Sequence, residues 1–239
     1  MARENQKRLE RLSLERLLYN DKIRLYPQIQ DLENDPPDFI LMFDDKIVSV
    51  EHTSFMNKHQ KKIEEFRKEI IKEAQKQFED IYGKVLSVQF NFSNVPIKTT
   101  KNKGRNYYVS MLFNLVLDIY EKNMDRSFTV STKFNGVENE YINRVYLTNT
   151  RDIFPWETMG AFMVQPADLD IVQNIIDSKS SMIPKYCIED TDERWLLIEA
   201  GIGYKSSGYS FEHIADQLNK RGFDKIYFLD YNPDNILEI

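Results

Sequence analysis

The chain has 239 residues, 41% hydrophobic and 29% charged, enough to bury one large core or two small ones and ordinary for a globular protein. With 38 Asp and Glu against 32 Lys and Arg, the net charge of −6 argues against a protein that grips nucleic acid by bulk charge, though not against a nuclease, whose acids gather at a metal and whose cations gather on one face. No run approaches the ~20 apolar residues of a membrane span, the single Cys187 excludes an internal disulfide, no Cys or His spacing suits zinc, and the charged start lacks a signal peptide's apolar stretch, so a cytoplasmic protein with no membrane partner is expected.

Residues 3–20 place Leu9, Leu12, Leu14, Leu17 and Leu18 on one stripe and are predicted to form an amphipathic helix. Glu10 lies on that stripe, and Glu15 lies at its edge beside Leu14 and Leu18. A short strand is expected over 22–26, stopped by Pro27, and then an acidic loop over 28–36. Pro36-Pro37 gives a stiff, extended entrance to a strand. Two apolar runs, 38–43 and 46–53, flank Asp44-Asp45-Lys46 and read as an antiparallel hairpin buried on both faces.

A long helix over 55–82 follows, with Ile63, Phe66, Ile70, Ala74, Phe78 and Ile81 at helical spacing and Gly83 as its cap, and then a strand over 85–92. A polar, basic loop over 98–105 leads into a helix over 107–123. Strands are expected at 127–134, 141–148 and 159–164, a helix at 167–183, a strand at 195–199, a helix at 210–221 capped by Ser210, and a strand at 224–230. The 204–212 segment lacks the Gly-Lys-Ser/Thr ending of a phosphate-binding loop, and Ser210 with His213 makes no nucleophile elbow. There is no Gly/Ser or Pro-rich linker and no repeat, so a single α/β domain over 1–239 is expected, with 1–95 as its core and 96–239 as an α/β extension packed on it.

Asp38 opens the first hairpin strand and Glu51 lies near the end of the second, so antiparallel pairing puts both acids at one end of the hairpin. Two carboxylates held close repel by about 1 kcal/mol in water and about 4 kcal/mol at an effective dielectric near 20. A fold that aligns them protonates one or binds a cation. Oxygen-only ligands suit Mg²⁺, or Mn²⁺ in its place, and the backbone carbonyl of His52 offers a third oxygen. Such a centre activates water and stabilises charge on a phosphodiester oxygen. The plainer reading of Asp38 is a strand-entry acid satisfied by backbone amides. For Glu51, inside an apolar run, burial requires a cation or an Arg partner. The His52 side chain alternates to the opposite face and reads as a core or supporting histidine.

Pro37-Asp38 followed by Glu51-x-Thr53, inside a helix–strand–strand–strand–helix–strand order over residues 3–92, resembles the PD-(D/E)XK nuclease superfamily, which includes restriction endonucleases and Holliday-junction resolvases. The resemblance implies a restriction-endonuclease-like core and a Mg²⁺-dependent endonuclease acting on DNA. It implies Asp38 and Glu51 as the metal-binding acids and a further acid from the first helix, Glu10 ahead of Glu15. Thr53 departs from the pattern, because the family has a lysine there that orients or activates the attacking water. Variant members move that lysine to a neighbouring element or replace it with another polar residue. The candidates are then Thr53 itself, or His59 and Lys62 on the inward face of the long helix near its start, with Lys62 preferred.

Lys98, Lys101, Lys103 and Arg105 carry no acid among them and precede Tyr107-Tyr108, so they are candidate phosphate contacts. Lys179 and Lys185 flank a later helix end, with nothing to distinguish them from solvated lysines. A homodimer is compatible with these expectations. If no residue replaces the lysine, the same fold would serve as a non-catalytic nucleic-acid- or protein-binding module.

Overall fold

The computed structural model describes residues 2–32, 36–97, 100, 103–150, 155–160, 162–186, 191–201, 204–230, 232 and 234–239. The protein is mixed α/β. In chain order its elements begin with α1 (Ala2–Leu18), β1 (Gln28–Asp31), β2 (Phe39–Met42), β3 (Ile47–Phe55), α2 (Lys58–Tyr82), β4 (Ser87–Phe92), α3 (Arg105–Glu121), β5 (Thr129–Lys133) and β6 (Ile142–Thr148). They continue with β7 (Glu157–Thr158), β8 (Gln165–Pro166), α4 (Leu169–Ser180), β9 (Glu193–Ala200), β10 (Tyr209–Ser210), β11 (Lys225–Leu229) and β12 (Ile236–Glu238). The chain divides into two compact units, one made of Met1–Asn57 with Met163–Ile239 and the other of Lys58–Phe162. The two ends of the chain therefore build one unit, and the middle builds the other.

The first unit holds a six-stranded sheet in the order β1-β2-β3-β9-β11-β12. β1, β2 and β3 form an antiparallel meander, β3, β9 and β11 run parallel, and β12 closes the far edge antiparallel. Alternate residues serve two cores. Phe39, Leu41, Val48, Val50, Trp195, Leu197, Tyr227 and Leu229 pack with Leu14, Leu17 and Leu18 of α1. The other core joins Phe55, Leu196, Ile198, Ala200, Ile226 and Phe228 to Val172 and Ile176 of α4. Both faces of β2 and of most of β3 are covered, and β2 is accordingly apolar throughout, whereas β3 carries Ser49, Glu51 and His52 among its buried residues. Asp168 caps α4 by accepting the Ile171 N–H at 3.0 Å.

The second unit is a four-stranded sheet, β5-β6-β4-β7, with two helices. Ile70, Ala74 and Phe78 of α2, Val109, Leu112 and Val116 of α3, and Val88, Phe90, Val145 and Leu147 of the sheet share one core.

Several sequence expectations are corrected. Residues 22–26 are not a strand: the N–H groups of Arg24 and Leu25 return to the carbonyls of Asn20 and Leu18, and Arg24 takes φ +51, so the segment terminates α1. The first strand is instead the polar edge Gln28–Asp31, inside the expected loop. None of the described residues in 159–164 forms a strand; Met159 extends the β7–β4 contact, whereas Gln165 pairs with β10, because the chain leaves one unit for the other at 162/163. The expected helix at 210–221 is reduced to one 3₁₀ turn at Ala215–Gln217. Ser210 is held in a strand opposite Pro166, and the Gln173 side chain bonds both the N–H and the carbonyl of Asn219, fixing extended chain at either end.

The division at 95/96 also differs from the observed one. β4, expected to complete the hairpin's core, pairs with β6 and β7 in the other sheet, and β9 occupies the place beside β3.

Candidate active site

Asp38 directly precedes β2 and closes the open end of the hairpin. Its N–H donates to the Val50 carbonyl at 3.0 Å, and its Oδ2 accepts the His52 N–H at 2.9 Å. Oδ1 accepts from Lys7 Nζ of α1 at 2.7 Å. The same ammonium lies 3.3 Å from Glu10 Oε2, while Glu10 Oε1 accepts from Gln6 Nε2 at 2.9 Å. Lys7 thus stands between two carboxylates. Its partial burial would lower its pKa, but Asp38 and Glu10 outweigh that and hold it above the ordinary lysine value.

Glu51 projects from β3 and is 6% exposed. Its Oε1 accepts from Lys179 Nζ, in the last turn of α4, at 2.5 Å. Its Oε2 is buried and has no hydrogen-bond partner. Burial is the largest influence on this carboxyl and pushes its pKa up, Asp38 adds to that, and Lys179 and Lys7 pull it back without cancelling the rise. Asp38 hydrogen-bonds the backbone on either side of Glu51, at Val50 and His52, so the two ion-paired acids lie at one end of the hairpin. Tyr186, just beyond α4, brings a buried hydroxyl with no hydrogen-bond partner. Burial, then the charges of Glu51 and Asp38, push its pKa well up, so it stays a neutral phenol.

The other expected residues fall as follows. Glu15 pairs with Arg11 at 2.9 Å, and Arg11 also reaches Asp31, so Glu15 is committed elsewhere and Glu10 is the α1 acid beside Asp38. Thr53 lies two positions from Glu51, on the same strand face and half-buried. The His52 side chain takes the opposite face, with Nε2 3.5 Å from Glu199 Oε2. That oxygen also accepts from Ser13 Oγ at 2.6 Å. Burial would raise Glu199, but His52, Ser13 and Arg16 hold it below the ordinary carboxylate value. His52 contributes to the Asp38 end through its backbone: its N–H points there, and in a strand its carbonyl points to the same edge, beyond Phe39, the first residue of β2.

Lys62 and His59, expected on the inward face of the long helix, are exposed. Lys98 and Lys101 lie outside the described residues. Lys103 and Arg105 are not a free cationic strip: Lys103 bonds Glu140 at 2.6 Å and the Tyr141 hydroxyl at 2.8 Å, and Arg105 bonds Glu73 and Glu69 at 2.8 and 3.1 Å. The acids missing from the loop are supplied by other segments of the second unit.

Sequence reasoning missed the two lysines that complete the cluster. Lys7 was legible in part, since it lies three before Glu10 and so on the same helix face. Lys179 is 128 positions from Glu51, and only the requirement that a buried Glu find a cation pointed toward it.

The oxygens that a hard divalent cation would have to use lie at this end of the hairpin. Asp38 and Glu51 offer carboxylate oxygens, one of them buried without a partner, and the His52 carbonyl offers a third oxygen. Among the described residues no three His, Cys, Asp or Glu side chains are grouped to hold a metal. Comparison with family models, curated proteins and solved structures finds no match to this chain.

Proposed function

We propose that this protein is a metal-dependent hydrolase of phosphodiester bonds in nucleic acid, DNA by preference, built on a divergent restriction-endonuclease-like core of the PD-(D/E)XK kind. Skipping the middle unit and the two-residue β8, α1, β1, β2, β3, α4 and β9 follow the helix–strand–strand–strand–helix–strand order of such a core, with β9 parallel to β3. The observation that carries the reading is Lys179 on Glu51: a lysine from the helix packed on the sheet supplies the cation that Thr53 does not.

In this reading Asp38 and Glu51 would hold Mg²⁺ or Mn²⁺, with the His52 carbonyl as a further oxygen and Glu10 assisting. When bound, the ion supplies Lewis-acid stabilisation of the phosphodiester and lowers the pKa of a water molecule. Lys179 holds Glu51 by Oε1 and leaves Oε2 as the oxygen that would hold the ion, and its ammonium would offset negative charge developing at phosphorus. Lys7 fixes Asp38 and screens it from Glu10. Tyr186 remains protonated across the working range and donates only as a neutral hydroxyl. A bond would form from water oxygen to phosphorus and the bond to the leaving oxygen would break, the proton given up by the attacking water to solvent being matched by one that the leaving oxygen takes from solvent.

A second reading has its own support. Lys7 and Lys179 already neutralise the acids, so the cluster would also serve to fasten α1 and α4 to the sheet of a non-catalytic binding module. Incubation of purified protein with plasmid and branched DNA, in Mg²⁺ and in Mn²⁺, separates the two. Cleavage that disappears in Asp38→Ala and Glu51→Ala supports the hydrolase. Cleavage that persists unchanged in both variants removes the assignment, and no cleavage under any metal condition favours the module.

A further inference from the structure

The open face of the second unit's sheet carries charge that its own fold does not compensate. Lys133 of β5 stands directly opposite Arg144 of β6, and Arg144 directly opposite Asn91 of β4. One step along the same face, Ser131, Tyr146 and Gln89 stand in line. Directly paired residues in a sheet point to the same side. The alternate residues Val88, Phe90, Val145 and Leu147 are buried against α2 and α3, so the Lys133–Arg144–Asn91 row faces away from the core.

Like charges placed directly opposite in a ladder repel, and a fold ordinarily interposes an acid. Here it does not. Neither Lys133 nor Arg144 has an ion-pair or side-chain hydrogen-bond partner among the described residues, whereas Lys103 and Arg105 of the same unit are each tied to acids. The nearest acid in this register, Glu157, stands opposite Gln89 and is bonded by its amide at 2.9 Å. A depression of about 480 Å³ opens at the cationic end, lined by Asn91, Lys133, Phe134, Asn143, Arg144 and Met159, none of them acidic. Beside it Tyr146 is 39% exposed.

We propose that this face binds single-stranded nucleic acid, with backbone phosphates on Lys133 and Arg144, a base against Tyr146, and base edges within reach of Asn91, Asn143 and Gln89. Paired cations answer a polyanion, and an exposed ring with side-chain amides answers unstacked bases. A duplex, with its bases stacked inside, would use only the cations. An acidic peptide would likewise leave Tyr146 idle. The site shares a substrate class with the hydrolase reading but uses none of its residues, and it stands or falls separately.

The test is fluorescence anisotropy of a labelled oligothymidylate of about 16 nucleotides, in EDTA so that no divalent ion contributes. Wild type is expected to bind with salt-dependent affinity. Lys133→Glu with Arg144→Glu should weaken binding at least about tenfold and flatten the salt slope by roughly 1.4, about 0.7 per phosphate contact. Tyr146→Ala should weaken it about tenfold, the loss of one stacked base. These side chains lie outside the core, and unchanged thermal melting would verify that the variants fold. Binding that survives the double charge reversal overturns the proposal. So does Tyr146→Ala binding like wild type, or polyglutamate competing as well as unlabelled oligonucleotide. Loss of metal-dependent cleavage in Glu51→Ala is a separate result and bears only on the hydrolase.

Discussion

The two units treat charge in opposite ways. In the first, buried or half-buried charges are matched: Lys7 with Asp38 and Glu10, Lys179 with Glu51, His52, Ser13 and Arg16 with Glu199. In the second, the cations of a loop are neutralised by acids from elsewhere, yet two cations on a sheet face are left opposed and unmatched. Matching is what burial requires, because an unpaired charge out of water costs several kcal/mol. An unmatched pair is tolerable where water reaches it. The contrast separates groups held in place by the fold from groups left available to a ligand. Even so, buried carboxylate oxygens on Glu51 and Glu10 in the first unit are left without a hydrogen-bond partner.

The comparison breaks most visibly at the cores. Phe78 is fully buried in the second unit, with the rings of Tyr82, Tyr120 and Trp156 within 4.8–5.6 Å. Phe78→Ala should destabilise that unit by about 3–5 kcal/mol. The three apolar clusters share no residue between units. Hydrogen exchange should therefore show lost protection in β4 and β6 with β3 and β9 unchanged; parallel loss in both would mean the units unfold as one.

A smaller effect is expected at the ion pair. Lys179→Met leaves Glu51 buried without its cation and should cost about 1–3 kcal/mol, read from denaturant unfolding followed in the first unit. Because burial already raises the pKa of Glu51, the variant should raise it further. A carboxyl with a raised folded pKa favours the fold when protonated, so that contribution is full below its unfolded value and is lost as pH rises through the folded one. The deficit of Lys179→Met should accordingly be larger at neutral pH than in acid, and a deficit independent of pH would contradict the pairing.

The smallest effect concerns Glu199, whose folded pKa is depressed below the glutamate reference of 4.5. The sign is reversed here: its contribution is present above the unfolded pKa and is lost as pH falls through the folded value. Glu199→Gln should be less stable than wild type at neutral pH and converge with it in acid, as thermal melting against pH would record. A constant difference would show that His52, Ser13 and Arg16 do not stabilise its charged form.

How much of this was legible in the sequence follows from the range of each interaction. The hairpin and its two acids could be read because apolar alternation and an intervening turn are local signals, and antiparallel pairing then fixes the rest. α2, with Ile70, Ala74 and Phe78 on one face, was equally local. β1 escaped because an exposed edge strand of sequence Gln-Ile-Gln-Asp has no apolar pattern to show. The 210–221 segment has helical spacing, but a side chain from α4 and a strand partner outweigh one turn's propensity. The insertion was invisible because α2 and β4 follow β3 in the order a continuous core would have; only strand pairing reveals that β9 sits beside β3. Lys179 was out of reach for the same reason.

The central claim is that Lys179 completes a site formed by Asp38 and Glu51. The most direct measurement is the rate of Mg²⁺- or Mn²⁺-dependent nicking of supercoiled plasmid by wild type and by Lys179→Met, at matched folded fraction. The account predicts nicking by wild type and a loss of about 10²-fold or more in the variant, the scale set by one positioned catalytic group. Equal rates for the two proteins would contradict it.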